Sequence, residues 1–267
     1  MGRAPLALAA AVVALGLASP AAAEITGTPA VRAVFTLERN GVLGVLERVS
    51  ATADEPTAAT WQVTMQRGEL FAQPSLYMDG RRYRPGDGKR PRTFRISRGS
   101  RGVRFDWLQP AGAHVARLGY RLALFGTAYT DAVDLHVPLW ESGWPVQVGT
   151  LGAALKLPRV PRRHAIVWLE PRAENAAVST AGRAIRVQTR GIGAGDALTL
   201  RAVLPRSVLS AVDGLNVEKK PGLDKVLAER TSNGRTWWPW ILGAAAVAVL
   251  SAAVVLRTAR SRRPSPR

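Results

Sequence analysis

Apolar residues recur at every second position through most of residues 25–205, and this period constrains the fold more than any other feature of the sequence. In VRAVFTLE, the alternation places Val31, Ala33, Phe35 and Leu37 on one face, as in a half-buried β-strand. Asn40–Gly41 follows at once, and an Asn-Gly pair between apolar alternations is a strong hairpin signal. The stretch VLGVLERVS is therefore predicted to return as the second strand.

The same period continues in short stretches that are separated by glycine, proline and aspartate. These stretches are TWQVTMQ, RTFRISRGSRGVRFDW, HVARLGYRLALFG, VQVGTLGAALKLP, HAIVWLEP, RAIRVQTR and DALTLRAVLP. Many short strands with turn residues between them are typical of an all-β sandwich. We therefore expect a mostly β chain in which residues 24–206 form an antiparallel β-sandwich. A β-barrel is the alternative.

The pattern changes after Pro205, where polar and helix-favouring residues replace the alternation. Residues 207–236 are predicted to form a stalk or linker, and GLDKVLAER is its most helical stretch. We find no internal repeat of fixed period in the chain.

The first residues have the features of a secretory signal peptide. Arg3 supplies a positive charge, residues 6–18 form a short apolar run, and Ala21–Ala23 offer small residues for a signal peptidase. We expect residues 1–23 to be removed, so that the mature chain begins at Glu24. An uncleaved N-terminal anchor is the alternative.

Near the other end, residues 237–256 contain no charge and are long enough to cross about 30 Å of hydrocarbon. Trp237, Trp238 and Trp240 stand at its start, where they would anchor the helix at the membrane interface. The tail of residues 257–267 has five arginines and no acid, which favours a cytoplasmic location. We therefore expect one transmembrane helix in the plasma membrane, an extracytoplasmic N-terminal domain and a basic cytoplasmic tail. A buried core helix is the alternative.

The chain has no cysteine, which excludes disulfides, thiolate metal sites and a cysteine nucleophile. Its net charge is +18, but only five of its 37 basic residues are lysine, an arginine and alanine bias that a GC-rich genome also produces. With an extracytoplasmic domain, the expected partners are the bilayer, another envelope protein, anionic lipid or cell-wall polymer, and not nucleic acid.

The densest basic segment is 81–104, with ten basic residues against one acid. Because the apolar residues of its predicted hairpin alternate inward, Arg95 and Arg104 are expected to point outward. We interpret the segment as a solvated face that protects a sheet edge from pairing. The alternative is that Arg95 and Arg104 face an anion, either lipid headgroups or cell-wall polymer.

The chain resembles the bacterial membrane proteins of domain of unknown function 2207 (DUF2207) over residues 25–205. The resemblance rests on Asn40–Gly41 with Val45 and Glu47, on VRFDWLQP, and on the core from Tyr120 through Trp140 and Trp144 to Pro158. It implies a β-rich extracytoplasmic domain that precedes a membrane span, and it implies no catalytic residues.

Motifs for catalysis or for a cofactor are not found. Gly-x-Ser-x-Gly and His-Glu-x-x-His do not occur, and the three histidines, at positions 114, 136 and 164, lack metal-ligand spacing. Asp134 and His136 share a face of an extended segment, which we interpret as a solvated pair. The stretch YTDAVD with Glu141 is a weak pattern for calcium.

The segment PLWESGWP, residues 138–145, contains Trp140 and Trp144 between two prolines. Since proline is disfavoured within sheets, the segment is expected to link strands, with both rings covering the end of the sandwich. An exposed aromatic platform is the alternative. Together, the sequence favours a non-enzymatic, membrane-anchored domain for binding or envelope assembly. An envelope enzyme acting on glycan and a carbohydrate-binding sandwich are the alternatives.

Overall fold

A computed structural model describes residues 25–66, 68–99, 102–141, 147–161 and 165–233. Within these ranges the chain forms 17 β-strands, a short 3-10 turn and one α-helix. The strands are β1 Ile25–Leu37, β2 Leu43–Ala53, β3 Thr57–Thr64, β4 Leu70–Met78, β5 Arg81–Arg82, β6 Arg84–Pro85, β7 Thr93–Gly99, β8 Gly102–Gln109, β9 Gly112–Ala123, β10 Gly126–Ala128, β11 Ala132–Trp140, β12 Val148–Lys156, β13 Ile166–Glu170, β14 Ala177–Ala181, β15 Ala184–Ile192, β16 Leu198–Pro205 and β17 Asn216–Val217. The 3-10 turn is Arg206–Val208 and the helix α1 is Leu223–Asn233. The mostly β expectation is thus confirmed.

The strands form three sheets. The main sheet has eight strands in the order β14-β15-β12-β1-β2-β9-β4-β5. The second sheet has the order β13-β16-β11-β10-β17, and the small sheet has the order β3-β8-β7-β6. Each sheet contains one parallel pair, namely β1 with β12, β10 with β17, and β6 with β7. The sheets are therefore mixed, and the prediction of a purely antiparallel sandwich is wrong in this respect.

The hairpins predicted from alternation are present. β1 pairs with β2 and β7 pairs with β8, both antiparallel. The first turn spans residues 38–42, in which Glu38 N donates to Val42 O and Asn40 Oδ1 accepts from Val42 N. Gly41 has a positive φ of 86°, and a Cβ there would lie 2.8 Å from Leu215. Glycine is thus needed for both conformation and space at this turn.

One apolar core joins the inner faces of the three sheets. Phe71 of β4 and Tyr120 of β9 stack at 5.3 Å between ring centroids, and Phe71 meets Phe105 of β8 edge-on at 5.9 Å. These rings connect the main sheet to the small sheet. On the second sheet, the inward alternate residues Leu200 and Leu204 belong to the same core.

Residues 207–233, in the segment predicted as a stalk, pack against this domain. Val208, Leu209 and Leu215 are buried in the main core, and β17 extends the second sheet. The helix predicted at GLDKVLAER is present as α1. Its Val226 is 1% exposed and packs on the outer face of the second sheet against Tyr129, Ala132 and Val203.

The prediction that residues 138–145 link strands is wrong for the first three of them. Pro138 and Trp140 lie in β11, which is hydrogen-bonded to β16 as far as Trp140. The register shifts between Pro138 and Trp140, and such a bulge is where a strand tolerates proline. Trp144 lies outside the described residues.

In the described part of the chain, no helix is both long enough and apolar enough to cross a membrane. Three predicted segments lie outside the described residues. They are the signal peptide at residues 1–23, the membrane span at 237–256 with Trp237, Trp238 and Trp240, and the tail at 257–267.

Candidate anion-binding face

The outward face of the main sheet carries many cationic side chains and no carboxylate within its strands. The outward basic residues of five adjacent strands are Arg32, Arg48, Arg117, Arg121, Lys156, Arg186 and Arg190. The only acidic residue within the eight described strands of this sheet is Glu47, which points into the core. Strand alternation thus separates cations outside from apolar residues inside.

Three of these arginines lie side by side on neighbouring strands, and we call them the arginine row. Arg32 of β1 is paired with Arg48 of β2, and Arg48 is paired with Arg117 of β9. Neighbouring strands are about 4.8 Å apart, so the three positions span only about 10 Å. The register continues through Tyr77 of β4 to Arg82 of β5.

The arginine row is electrostatically unfavourable for the domain alone, because like charges placed directly opposite destabilise a sheet. All three side chains are exposed, and none forms an ion pair or a hydrogen bond with another described side chain. By contrast, Arg121, four residues further along β9, is paired with Glu38. A bound anion would relieve the repulsion, so the row is suited to a ligand with several negative charges.

A polar groove of about 470 Å³ lies beside the row. Its polar lining residues are Arg32, Thr150, Asn175, Gln188, Thr189 and Arg190. Gly152 lies in register between Arg32 and Gln188, and its missing side chain leaves the groove floor open. The groove therefore offers guanidinium, amide and hydroxyl donors around one depression, next to an uncompensated positive charge.

The segment 81–104 contributes less free charge than its sequence suggests. Arg95 and Arg104 are exposed as expected, but both contact the carboxylate of Asp106, at 3.3 and 3.0 Å. Arg90 is paired with Asp87 at 3.0 Å. Within this segment, Arg82 is the residue that the register aligns with the arginine row.

Glu47, Tyr120 and Trp140, which carried part of the sequence resemblance, are all buried in the core. The Tyr120 hydroxyl donates to Glu47 Oε1 over 3.1 Å. Trp140 is 3% exposed and meets Trp61 edge-on, with 5.8 Å between ring centroids.

Burial raises the pKa of Glu47 to about 8, and the negative charge of Glu141 acts in the same direction, against hydrogen bonds from Tyr120 and Trp61. Burial also raises the pKa of Glu141. A carboxyl with a raised pKa can serve as a general acid, but Glu47 is only 5% exposed and does not line the polar groove. Its carboxyl is therefore a protonated part of the core at neutral pH.

Asp134 and His136 are not the solvated pair expected from the sequence. Asp134 is buried and receives two hydrogen bonds from the Arg201 guanidinium, at 3.1 and 2.9 Å, while His136 Nε2 lies 3.2 Å from it. Burial alone would raise the pKa of Asp134, but the bonds from His136 and Arg201 hold it below its usual range. Arg201 also donates to Glu170 at 3.4 Å and to Glu229 of α1 at 2.7 Å. The group is thus structural, and it fastens α1 to the second sheet.

The residues of the weak calcium pattern YTDAVD have structural roles in the described part of the chain. Asp131 accepts hydrogen bonds from Gly222 N and Leu223 N, where it holds the start of α1. Across the described ranges, no group of three or more His, Cys, Asp or Glu side chains could hold a metal ion. Trp144 and His164 lie outside those ranges.

Sequence reasoning missed the arginine row because its members are 16 and 69 residues apart along the chain. A usable signal was nevertheless present. Arg32, Arg48 and Arg117 each occupy the outward phase of an apolar alternation, and Glu38 is the only acid in that phase of the three stretches. Only the strand register, however, shows that the three positions are adjacent.

Comparison with solved structures gives only distant likenesses. One is a candidate nutrient-binding protein of Legionella pneumophila, with 9% identity, a TM-score of 0.40 and coverage of 66% of this chain and 65% of that chain. Leukotriene A4 hydrolase of Saccharomyces cerevisiae is 10% identical, with a TM-score of 0.35 and coverage of 66% of this chain and 29% of that chain. An M1 zinc metallopeptidase of Deinococcus radiodurans is 8% identical, with a TM-score of 0.34 and coverage of 65% of this chain and 41% of that chain. The chain spans less than two thirds of each of these proteins, and likenesses this weak support no inference about function.

Among curated proteins, none is similar enough to count as a relative. A family model does match, over residues 29–204, and it covers β1 to β16 with the arginine row and the buried Glu47. The chain therefore belongs to the family described as predicted membrane protein (DUF2207) N-terminal domain.

Proposed function

We propose that this chain is a non-catalytic, membrane-anchored domain that binds an anionic polymer of the cell envelope through the outward face of its main sheet. The observation that carries the proposal is the arginine row, where Arg32, Arg48 and Arg117 stand in register without an acidic partner among the described residues. An arrangement that costs the free domain stability makes physical sense if a ligand neutralises it.

A polymer fits this face better than the surface of a bilayer does. The row, Tyr77 and Arg82 together cross five adjacent strands, a distance of about 19 Å, and the polar groove extends the face on the other side. Among the described side chains of the three strands that carry the row, Leu46 is the only large apolar one that is strongly exposed. A surface that inserts among lipid headgroups would normally present several apolar residues.

The anchor and its orientation are part of the proposal. The span predicted at residues 237–256 follows α1 within a few residues, and the arginines after it favour a cytoplasmic C-terminus. We expect protease added to intact spheroplasts to remove the domain and to spare a C-terminal tag. Loss of the tag with the domain intact would reverse this topology.

Binding can be tested with the full-length protein in nanodiscs of zwitterionic lipid. Fluorescein-labelled polyphosphate and polyglutamate would be titrated separately, with fluorescence anisotropy as the readout. We expect at least one polymer to bind with an affinity that falls as salt rises. The triple variant Arg32→Gln/Arg48→Gln/Arg117→Gln should bind about tenfold more weakly or worse, because three charge contacts are lost.

The matched control removes the same charge elsewhere. Arg39, Arg172 and Lys219 are exposed and lie outside the strands of this face, so their triple glutamine variant should bind almost as the parent does. Equal losses in both triple variants would overturn a site on the main sheet and indicate diffuse attraction. Binding to vesicles that contain anionic lipid, without binding to either polymer, would overturn the polymer proposal in favour of lipid headgroups.

A further inference from the structure

A second cavity, of about 550 Å³, lies where the β4–β5 end of the main sheet meets the small sheet. Its walls are mainly apolar and are formed by Pro56, Met78, Tyr83, Pro91, Leu108 and Pro110. The volume falls within the range of cavities that bind small molecules. The residues of the arginine row do not line it.

Besides Tyr83, four titratable side chains line this cavity: Asp79, Arg81, Arg92 and His114. His114 Nδ1 lies 2.6 Å from Asp79 Oδ2, and His114 Nε2 lies 2.9 Å from Ala111 O. Both partners are acceptors, and a neutral imidazole has only one N–H to donate. The geometry therefore assigns the imidazolium form to His114. Its hydrogen bond with Asp79 raises the pKa of His114 in agreement with this form.

The His114–Asp79 pair is neutral as a whole, so it leaves the two guanidinium groups uncompensated. Neither Arg81 nor Arg92 forms an ion pair with another described residue. The cavity thus combines an apolar interior with a net positive charge. That combination is complementary to a molecule with one apolar and one anionic end.

The backbone at this cavity is held in conformations that most side chains avoid. Asp79 and Arg92 have positive φ angles of 50° and 60°. Hydrogen bonds hold both segments, because Asp79 N donates to Val115 O and Arg84 N donates to Arg92 O. Non-glycine residues in this region are often found at functional sites, where the fold keeps a side chain in a fixed position.

We propose that this cavity binds a small amphipathic anion, with an apolar body between the prolines, Met78 and Leu108, and a carboxylate or phosphate head at Arg81 and Arg92. The site is separate from the arginine row and does not depend on polymer binding. Its ligand is a single small molecule rather than a repeating chain.

Isothermal titration calorimetry on the full-length protein in nanodiscs can test this, with empty nanodiscs subtracted. The probes are phenylacetate, phenyl phosphate and the uncharged benzyl alcohol. At least one anion should bind one molecule per chain, about tenfold more tightly than benzyl alcohol, because it adds charge-assisted hydrogen bonds. The tighter of the two anions identifies the head group as carboxylate or phosphate.

Two variants and one control locate the site. Arg92→Asn removes a guanidinium, and asparagine tolerates the left-handed backbone there, so anion affinity should fall about tenfold. Leu108→Trp fills part of the cavity and should abolish binding of all three probes. Lys89→Asn changes an exposed cation of the same loop that does not line the cavity, and it should bind as the parent does.

Three results would overturn the proposal: no binding of any probe, benzyl alcohol binding as tightly as the anions, or equal losses in the Lys89 and Arg92 variants. None of these would affect the polymer titration, because that experiment depends on Arg32, Arg48 and Arg117.

Discussion

Arg201 of β16 donates a hydrogen bond to Glu229 of α1 over 2.7 Å, while the same guanidinium binds the buried carboxylate of Asp134. The contact joins a helix near the end of the described chain to the outer face of the second sheet. The Trp168 ring lies against the same guanidinium: Arg201 Cζ and Arg230 Cζ are 5.2 and 5.3 Å from the centroid of this ring. The helix is therefore held by charge, by cation–π contacts and by the buried Val226.

A soluble fragment of residues 25–233 should be more stable than one of residues 25–206. The shorter fragment loses the buried side chains of Val208, Leu209, Leu215 and Val226 and exposes the surface under α1. We expect a loss of about 2 kcal/mol or more in the free energy of unfolding, measured by urea denaturation. Val226→Ala in the longer fragment should give a smaller loss. Equal stability of the two fragments would show that residues 207–233 are dispensable.

Removing the Arg201 guanidinium should destabilise the fragment 25–233 strongly. Arg201→Met leaves the Asp134 carboxylate buried without its main partner, and breaking a buried pair in this way typically costs about 3–5 kcal/mol. Adding Asp134→Asn should recover part of the loss, and a double-mutant cycle by urea denaturation measures the coupling. Arg186→Met changes an exposed arginine of β15, and its free energy of unfolding should lie within about 0.5 kcal/mol of the parent's. Similar effects at both positions would contradict this role of Arg201.

Glu47→Gln should make the free energy of unfolding less dependent on pH. The Glu47 carboxyl has a pKa near 4.5 in the unfolded chain and near 8 in the folded domain. Between these values the folded state binds more protons, so stability falls as pH rises, by at most about 1.4 kcal/mol per pH unit. Glutamine cannot ionise, so the free energy of unfolding of the variant should rise relative to that of the parent from about pH 5 to about pH 8.

Urea denaturation across that range checks this, with Glu55→Gln as the control at an exposed carboxyl. Stability curves of parent and Glu47→Gln that run parallel through the whole range would show that Glu47 is ionised inside the core.

Trp140→Ala should lower the stability of the fragment 25–233 by about 3–5 kcal/mol, the usual cost of truncating a buried tryptophan. The ring is 3% exposed and packs edge-on against Trp61. Leu46→Ala removes an apolar side chain that is 50% exposed and should change the melting temperature little. If Trp140→Ala melts like the parent but loses a ligand, an exposed aromatic platform would explain the segment better.

Alternation within each strand could be predicted from the sequence, and pairing between distant strands could not. The hairpin β1–β2 follows from local apolar periodicity and Asn40–Gly41, so it was predictable. The parallel pairing of β1 with β12 depends on residues 30 and 150 meeting as neighbours within the main sheet. No local propensity encodes such a contact. β11 was missed at Pro138 because its bulge, at Leu139, can be recognised only from the register with β16.

The candidate sites show the same division. Leu43, Val45 and Glu47 share the apolar phase of β2, so the sequence already places a carboxyl inside. Its partner Tyr120, by contrast, is 73 residues away. Arg201 was not singled out at all, because α1 and the surface that it covers become neighbours only in the folded domain.

The central position of β1 affects the order in which this domain can assemble. The first strand of the described chain lies between β2 and β12, and β12 begins more than a hundred residues later. During synthesis or refolding, the first hairpin must therefore wait with one long edge unpaired until residues 148–156 become available. An open edge with alternating apolar residues invites pairing with other chains, and contacts of such long sequence separation slow folding. A slow folding step and a tendency to self-associate before residue 156 is in place follow from the strand order.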